Sequence, residues 1–293
     1  MRKIFYFVMV AVTAIFAGCA NDEDALLPND SLKDTPINVD VLVSGINTRA
    51  GYDNTSLPTK FYLSIDQKDT KYDYTNVVMK CEEGKWVAYE SDATDAAKKQ
   101  LLWEGSEVNV IVTAATFPLP DASTSYALSV QTDQSTAEAV KASDHLCYYS
   151  NAVMPSTGGI SIGLNHIMSK ITVKLTLGTE YKASETNPIT SVSAFGASTG
   201  ATYSPGAETP WSAGSNVSKI SLFPSVAYNK AERTATYEAI LVPQTIAENT
   251  FGIEIRIGEK TYEWTSADAF TLTGGTNHTL EMTVGNASSA NIN

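Results

Sequence analysis

The chain has 293 residues, a net charge of −12 and only three cysteines. An acidic surface excludes nucleic acid as the natural partner, because phosphates demand a basic one, and it suits a surface protein that avoids self-association. So few cysteines exclude a fold built on a disulfide framework.

The amino terminus comes first. Arg2 and Lys3 precede an uncharged apolar run over residues 4–17, followed by Gly18 and Cys19. That pattern is an export signal over residues 1–18, separate from the fold. It falls short of the roughly 20 apolar residues that span a bilayer. Phe16-Ala17-Gly18-Cys19 fits a lipobox, with Phe16 where leucine is usual. Cleavage before Cys19 would leave an acylated cysteine, and several acyl chains anchor a protein to a membrane where one chain does not. Residues 19–35 are polar, acidic and unpatterned, which predicts a flexible tether.

The rest of the chain reads as strands. Ile37, Val39, Val41 and Val43 alternate with polar residues and share one face. Phe61–Ile65, Lys85–Tyr89 and Val108–Thr113 follow the same period, and residues 159–164 look like a closing strand. The second half offers Ile171–Leu177, Ile189–Phe195, Tyr237–Val242, Phe251–Ile257, Thr261–Trp264 and His278–Val284. Apolar-in, polar-out alternation means sheets with one wet face. Many such strands in two halves predict an all-β protein of two tandem β-sandwich domains, over residues 36–165 and 166–284, with a polar tail over 285–293. The one helical expectation is a short helix near residues 95–102, capped by Thr94.

No constellation for catalysis emerges, and an enzyme is not expected. His145, His166 and His278 are far apart, and none has a second metal ligand at a useful spacing. Nucleophile elbow, Walker loop, zinc-protease and dinucleotide motifs are all missing. Asp66, Asp69 and Asp73 lack calcium-loop spacing and stand among lysines, so they read as a solvated hairpin loop. No metal or cofactor is expected. Cys81 and Cys147 read as buried free thiols, with a disulfide the alternative. Fourteen tyrosines and four tryptophans leave room for an aromatic recognition surface. Trp86 and Tyr89 fall in a strand, where core packing is the default. Tyr72, Tyr74, Tyr148 and Tyr149 fall at strand edges or loops.

Thr48-Arg49-Ala50 follows the first strand in a small, polar setting that an Arg-specific protease could reach. Several further segments stand in a telling order: Trp103 before the strand that ends near Pro118, His166-Ile-Met-Ser-Lys170 leading into Val173, Val242-Pro243-Gln244, and Gly274-Gly275 before the last strand, where His278 replaces a usual tyrosine. Together they resemble the fimbrillins, the type V pilins of Gram-negative anaerobes. The acidic run after Cys19 resembles the signal that sends lipoproteins to the outer face of the outer membrane. The resemblance implies transthyretin-like Greek-key sandwiches. It also implies export as a lipoprotein and then cleavage between Arg49 and Ala50. That cut would release the Cys19 lipid together with the first strand, residues 36–49.

Loss of Ile37, Val39, Val41 and Val43 would open a groove. A donor strand from another pilin subunit would refill it by main-chain pairing and alternating side-chain pockets. The subunit would then pass from the outer membrane to an extracellular fimbrium, with a host or bacterial surface glycan or protein as its adhesion target. The tail after Val284 offers little apolar alternation, which favours a tip subunit that accepts a strand without donating one. The alternative is a glycan-binding lipoprotein that stays anchored through Cys19.

Overall fold

Among the described residues period-two alternation becomes β-strand, interrupted by one short α-helix and two single-turn 3-10 helices. The computed structural model describes residues 32–44, 51–67, 69–119, 125–181, 186–285 and 289–292. Cys19, Arg49 and Ala50 lie outside these. The first half holds β1 (Val39–Ser44), β2 (Lys60–Asp66), β3 (Tyr74–Glu82), β4 (Lys85–Tyr89), β5 (Val110–Ala115), β6 (Tyr126–Ser129), α1 (Ala137–Ser143), β7 (Leu146–Val153) and β8 (Ile160–His166). The second half begins with β9 (Ser169–Leu177), β10 (Ile189–Phe195), β11 (Gly200–Tyr203), β12 (Trp211–Ala213), β13 (Ile220–Ser221) and β14 (Phe223–Asn229). It continues with β15 (Thr234–Leu241), β16 (Gln244–Ile246), β17 (Gly252–Ile257), β18 (Lys260–Thr265), β19 (Phe270–Leu272), β20 (Asn277–Val284) and β21 (Ser289–Ile292).

A seven-stranded sheet runs β1-β8-β7-β5-β2-β3-β4. It curls until its two outer strands, β1 and β4, come into contact. Its concave face buries Phe61, Leu63, Ile65, Met79, Val112, Ile160, Ile162 and Leu164 in one core. A five-stranded sheet, β14-β15-β9-β20-β21, and a four-stranded sheet, β13-β10-β17-β18, account for most of the second half. Ile171, Val173, Leu175, Val192, Ile253, Ile255 and Leu280 belong to its core.

Simple alternation fails where these bodies meet. Strand β2 turns Phe61, Leu63 and Ile65 to the first core, while Tyr62 joins the second. The small strand β6 from the first half pairs with β11 from the second. Strand β9 is buried on both faces over its first five residues. Lys170 there lies 3.1 Å from Glu238 on β15, with both side chains almost fully covered. The contact is one of charge, because Glu238 Oε2 has no aligned hydrogen-bond donor.

Three local expectations are corrected. Residues 95–102 form no helix. The segment runs extended beside β4, with Glu90 N–H donating to Ala97 O and Lys99 N–H to Ala88 O. Its large apolar residues, Leu101 and Leu102, are adjacent at its end, so a helix would have no apolar stripe to bury. The helix is α1 instead, where Thr136 Oγ1 accepts from Ala139 N–H as the cap and Val140 is buried. Residues 32–35, expected to belong to the tether, are part of the fold. Leu32 is already buried, and Thr35 is held by hydrogen bonds to Leu32 O and from Trp103 N–H. Cys81 and Cys147 are free, and only Cys147 is buried; Cys81 is exposed, unlike the buried thiol expected.

Candidate functional site: the seat of the first strand

Strand β1 pairs in parallel with β8, in the register Val39↔Ile160 to Ser44↔Asn165. Ile37, Val39, Val41 and Val43 all face inward and are at most 8% exposed, whereas Leu42 on the other face is 65% exposed. The four expected residues therefore share one buried face in the first core.

The seat grips the strand from two sides. Downstream it is the β8 ladder. Upstream, Ile37 N–H donates to Leu101 O, Asp34 N–H to Trp103 O, and Trp103 N–H to Thr35 O. Residues 34–37 thus lie antiparallel to 101–103, and the strand passes from one neighbour to the other. Trp103 is fully buried beneath this crossing, and its indole donates to Ser156 O at 3.1 Å. Tyr72 donates its hydroxyl to Asp34 Oδ1 at 2.7 Å. Ile160 N–H donates to Asn38 O at 2.8 Å. Just before it, Gly159 has φ +80°, a conformation that favours glycine.

Both flanks of residues 45–50 are fixed. On the upstream side, Val43 N–H donates to Asn54 Oδ1 and Ser44 Oγ to Asn165 Oδ1. On the downstream side, Tyr52 N–H donates to Asp144 Oδ2 at 3.3 Å, and Asp144 Oδ1 lies 2.8 Å from His166 Nδ1. The Asp144–His166 pair is buried, and burial together with the Asp144 charge raises the Tyr52 phenol above its ordinary range. Lys141 of α1 sits 4.6 Å from the centre of the Tyr52 ring and donates to Ser56 Oγ. Asp53 Oδ1 accepts from Thr55 and Ser56, and those bonds hold its carboxyl below the usual range.

Burying one aliphatic side chain contributes roughly 1.5–3 kcal/mol. Four of them contribute about 6–12 kcal/mol, an upper figure because unfolded chains are not fully extended. Removing the strand would also leave two unpaired backbone edges, one on β8 and one on residues 101–103.

The histidines are packing or capping groups. His145 Nε2 lies 3.0 Å from Ser129 O, and His278 Nε2 accepts from Thr273 N–H. Among the described residues no three His, Cys, Asp or Glu side chains are placed to share a metal ion. Asp69 and Asp73 instead accept backbone N–H groups within the β2–β3 connection.

Among the aromatics weighed from the sequence, Tyr72 and Tyr74 are buried and Trp86 packs edge-on against Phe61. The aromatic pair that lines a cleft is a different one, Tyr203 and Trp211. Three glutamines act as backbone substitutes, and of these only Gln244 stands in a motif legible from the sequence. Gln134 bonds both N–H and C=O of Ile240, Gln244 bonds both of Ser198, and Gln67 joins Tyr72 O, Leu102 O and Glu104 N–H.

A family model described as fimbrillin-like matches residues 31–293. No curated protein matches the chain. Among solved structures, a candidate cell adhesion protein from Bacteroides ovatus is similar at a TM-score of 0.62 and 17% identity, covering 89% of this chain and 96% of that one. Another from Bacteroides uniformis is similar at 0.57 and 13% identity, covering 88% and 98%.

Proposed function

Because the chain belongs to the fimbrillin-like family, we propose that it is a structural and adhesive fimbrial (pilus) subunit, exported as a lipoprotein through Cys19 and polymerised by strand exchange after cleavage following Arg49. One observation carries the reading. The first strand seals a core with four side chains on one face, and its backbone pairs along two strand edges with one added bond, from Val43 N–H to Asn54 Oδ1. Such an element can leave and be replaced by a strand of the same pattern without rebuilding the sheet behind it.

The flanks support cleavage in place. Ser44 and Tyr52 are each tied to the body by hydrogen bonds on either side of the proposed cut. Cutting the connection would remove the covalent link that makes re-docking of the strand intramolecular. The lipid on Cys19 would then serve delivery and depart with the strand. The mature subunit would lie in an extracellular fimbrium beside other pilin subunits.

A tip position is supported by the carboxyl end. Strand β20 lies between β9 and β21 and buries Leu280, Met282 and Val284, so releasing it as a donor would open the second core. The tail, Ser289–Ile292, pairs antiparallel with β20 and is already engaged. A tip subunit would accept a strand and keep this tail on β20, whereas a stalk subunit would have to free the tail from that edge.

Replacing Arg49 with Ala and following polymer formation in cells tests the reading. Assembly should stop, with the uncleaved lipoprotein accumulating; unchanged assembly would overturn it. The second reading, a glycan-binding lipoprotein that keeps its lipid, draws on the cleft lined by Tyr203 and Trp211.

A further inference from the structure

We propose that the cleft between the β11–β12 hairpin and the β16–β19 ribbon is a binding site for a neutral saccharide of one or two rings. The cleft has a volume of about 710 Å³, within the range of small-ligand pockets. The inference rests on the adhesive part of the function proposed above and not on strand exchange.

Its aromatic wall is built by register. Tyr203 and Trp211 face each other across β11 and β12, with ring centroids 4.6 Å apart and planes tilted by 44°. Both are half-buried. Their bases pack on the core, and their remaining surface is presented to the cleft. A pyranose ring has an apolar face of C–H groups and an equatorial rim of hydroxyls, so it matches a rigid aromatic wall facing a polar one.

Thr245, Thr271 and Thr273 supply the polar wall. The hydroxyls of Thr245 and Thr271 are 3.2 Å apart. A hydroxyl donates once and accepts twice, so this single mutual bond leaves capacity on each oxygen. Gly274 keeps the passage beside the indole open, since a Cβ there would stand 3.2 Å from Trp211 Nε1 and 2.6 Å from Ile167 O.

Charge selects against anionic sugars. The lining holds one exposed carboxylate, Glu208, and no Lys or Arg. His166, at the floor, is committed to Asp144. The whole chain carries −12. A sialylated, uronic or sulfated ligand would meet repulsion without a counter-ion.

The test uses the full chain, unpolymerised, with lactose, cellobiose, maltose and sialyllactose as probes, read by saturation-transfer NMR and tryptophan fluorescence. At least one neutral disaccharide should bind. Trp211→Ala should abolish that binding. Thr271→Val and Thr273→Val should each weaken it by about three- to tenfold, the worth of one hydrogen bond. The two threonine variants should keep the parent melting temperature, which separates lost contacts from lost fold. Sialyllactose should bind more weakly than lactose. Absence of binding by every neutral probe up to about 10 mM, the range of a very weak site, would overturn the proposal. So would binding that both threonine variants and Trp211→Ala leave unchanged, or a preference for sialyllactose. Assembly plays no part in this readout, so a negative result leaves strand exchange standing, and failure of the Arg49→Ala test leaves the saccharide site standing.

Discussion

Gly159 lies so close to Asn38 that a Cβ placed on it would fall 2.1 Å from the Asn38 carbonyl oxygen. The same oxygen accepts from Ile160 N–H. The turn before β8 and the residue before β1 are thus fitted to each other across the seat of the first strand, and only a residue without a side chain permits the approach.

Gly159→Ala is therefore expected to loosen the first strand. The new methyl must displace backbone, and the positive φ adds strain. The expected cost is about 1–3 kcal/mol in urea denaturation. Hydrogen exchange should quicken over residues 38–43 and stay unchanged in β17. Parent-like stability would mean that the approach is not structurally demanding.

The two faces of β1 make a paired test. Val41 is buried and Leu42 is 65% exposed. Val41→Asp would bury an unpaired carboxylate and should cost about 3 kcal/mol or more in the uncleaved protein, whereas Leu42→Asp should change stability by under about 0.5 kcal/mol. Equal effects would show that the strand does not sit with this face inward.

Stability should fall as the solution is acidified through the histidine range. Burial holds His145 and His278 below their ordinary value of 6.5. The folded state therefore takes up protons less readily than the unfolded chain. The stability this represents is present above pH 6.5 and is lost as pH drops through the folded values. The His278 Nε2 acceptor for Thr273 N–H is lost on protonation. The urea midpoint should decline between about pH 7 and pH 5. Combining His145→Gln with His278→Gln should flatten that decline; an unchanged slope would exclude these two groups.

The free thiols should differ in reactivity. Burial pushes the Cys147 thiol up to about 12, while Cys81 is exposed. The thiolate is the reacting species, so iodoacetamide at pH 8 should label Cys81 in the native protein and Cys147 only after unfolding. Prompt labelling of both would contradict the packing around Cys147.

Much of the fold was legible because a strand's alternation is local. Lys85–Tyr89 and Ile189–Phe195 form strands with the expected bounds, and Ile37, Val39, Val41 and Val43 share the face that their spacing assigned them. What escaped was non-local. Strands β3 and β7 carry side chains that serve different cores or the surface, so no clean period marks them. The pairing of β6 with β11 joins residues more than 70 apart, and neither four-residue strand has enough alternation to be seen. The Tyr203–Trp211 pair had a signal, a Pro-Gly turn between two aromatics, but strands too short to declare themselves. The upstream half of the seat was hidden for another reason. Leu101 and Leu102 fall in the segment whose pattern suggests a helix, and their backbone partners are all distant in sequence: Ile37, the Tyr74 hydroxyl and the Gln67 amide.

Intact mass and amino-terminal sequencing of the protein in fimbriae isolated from the cell surface show whether the first strand leaves the mature subunit. The expected result is a chain that begins at Ala50 and carries no lipid. A chain that begins at an acylated Cys19, with β1 still in its seat, would contradict it.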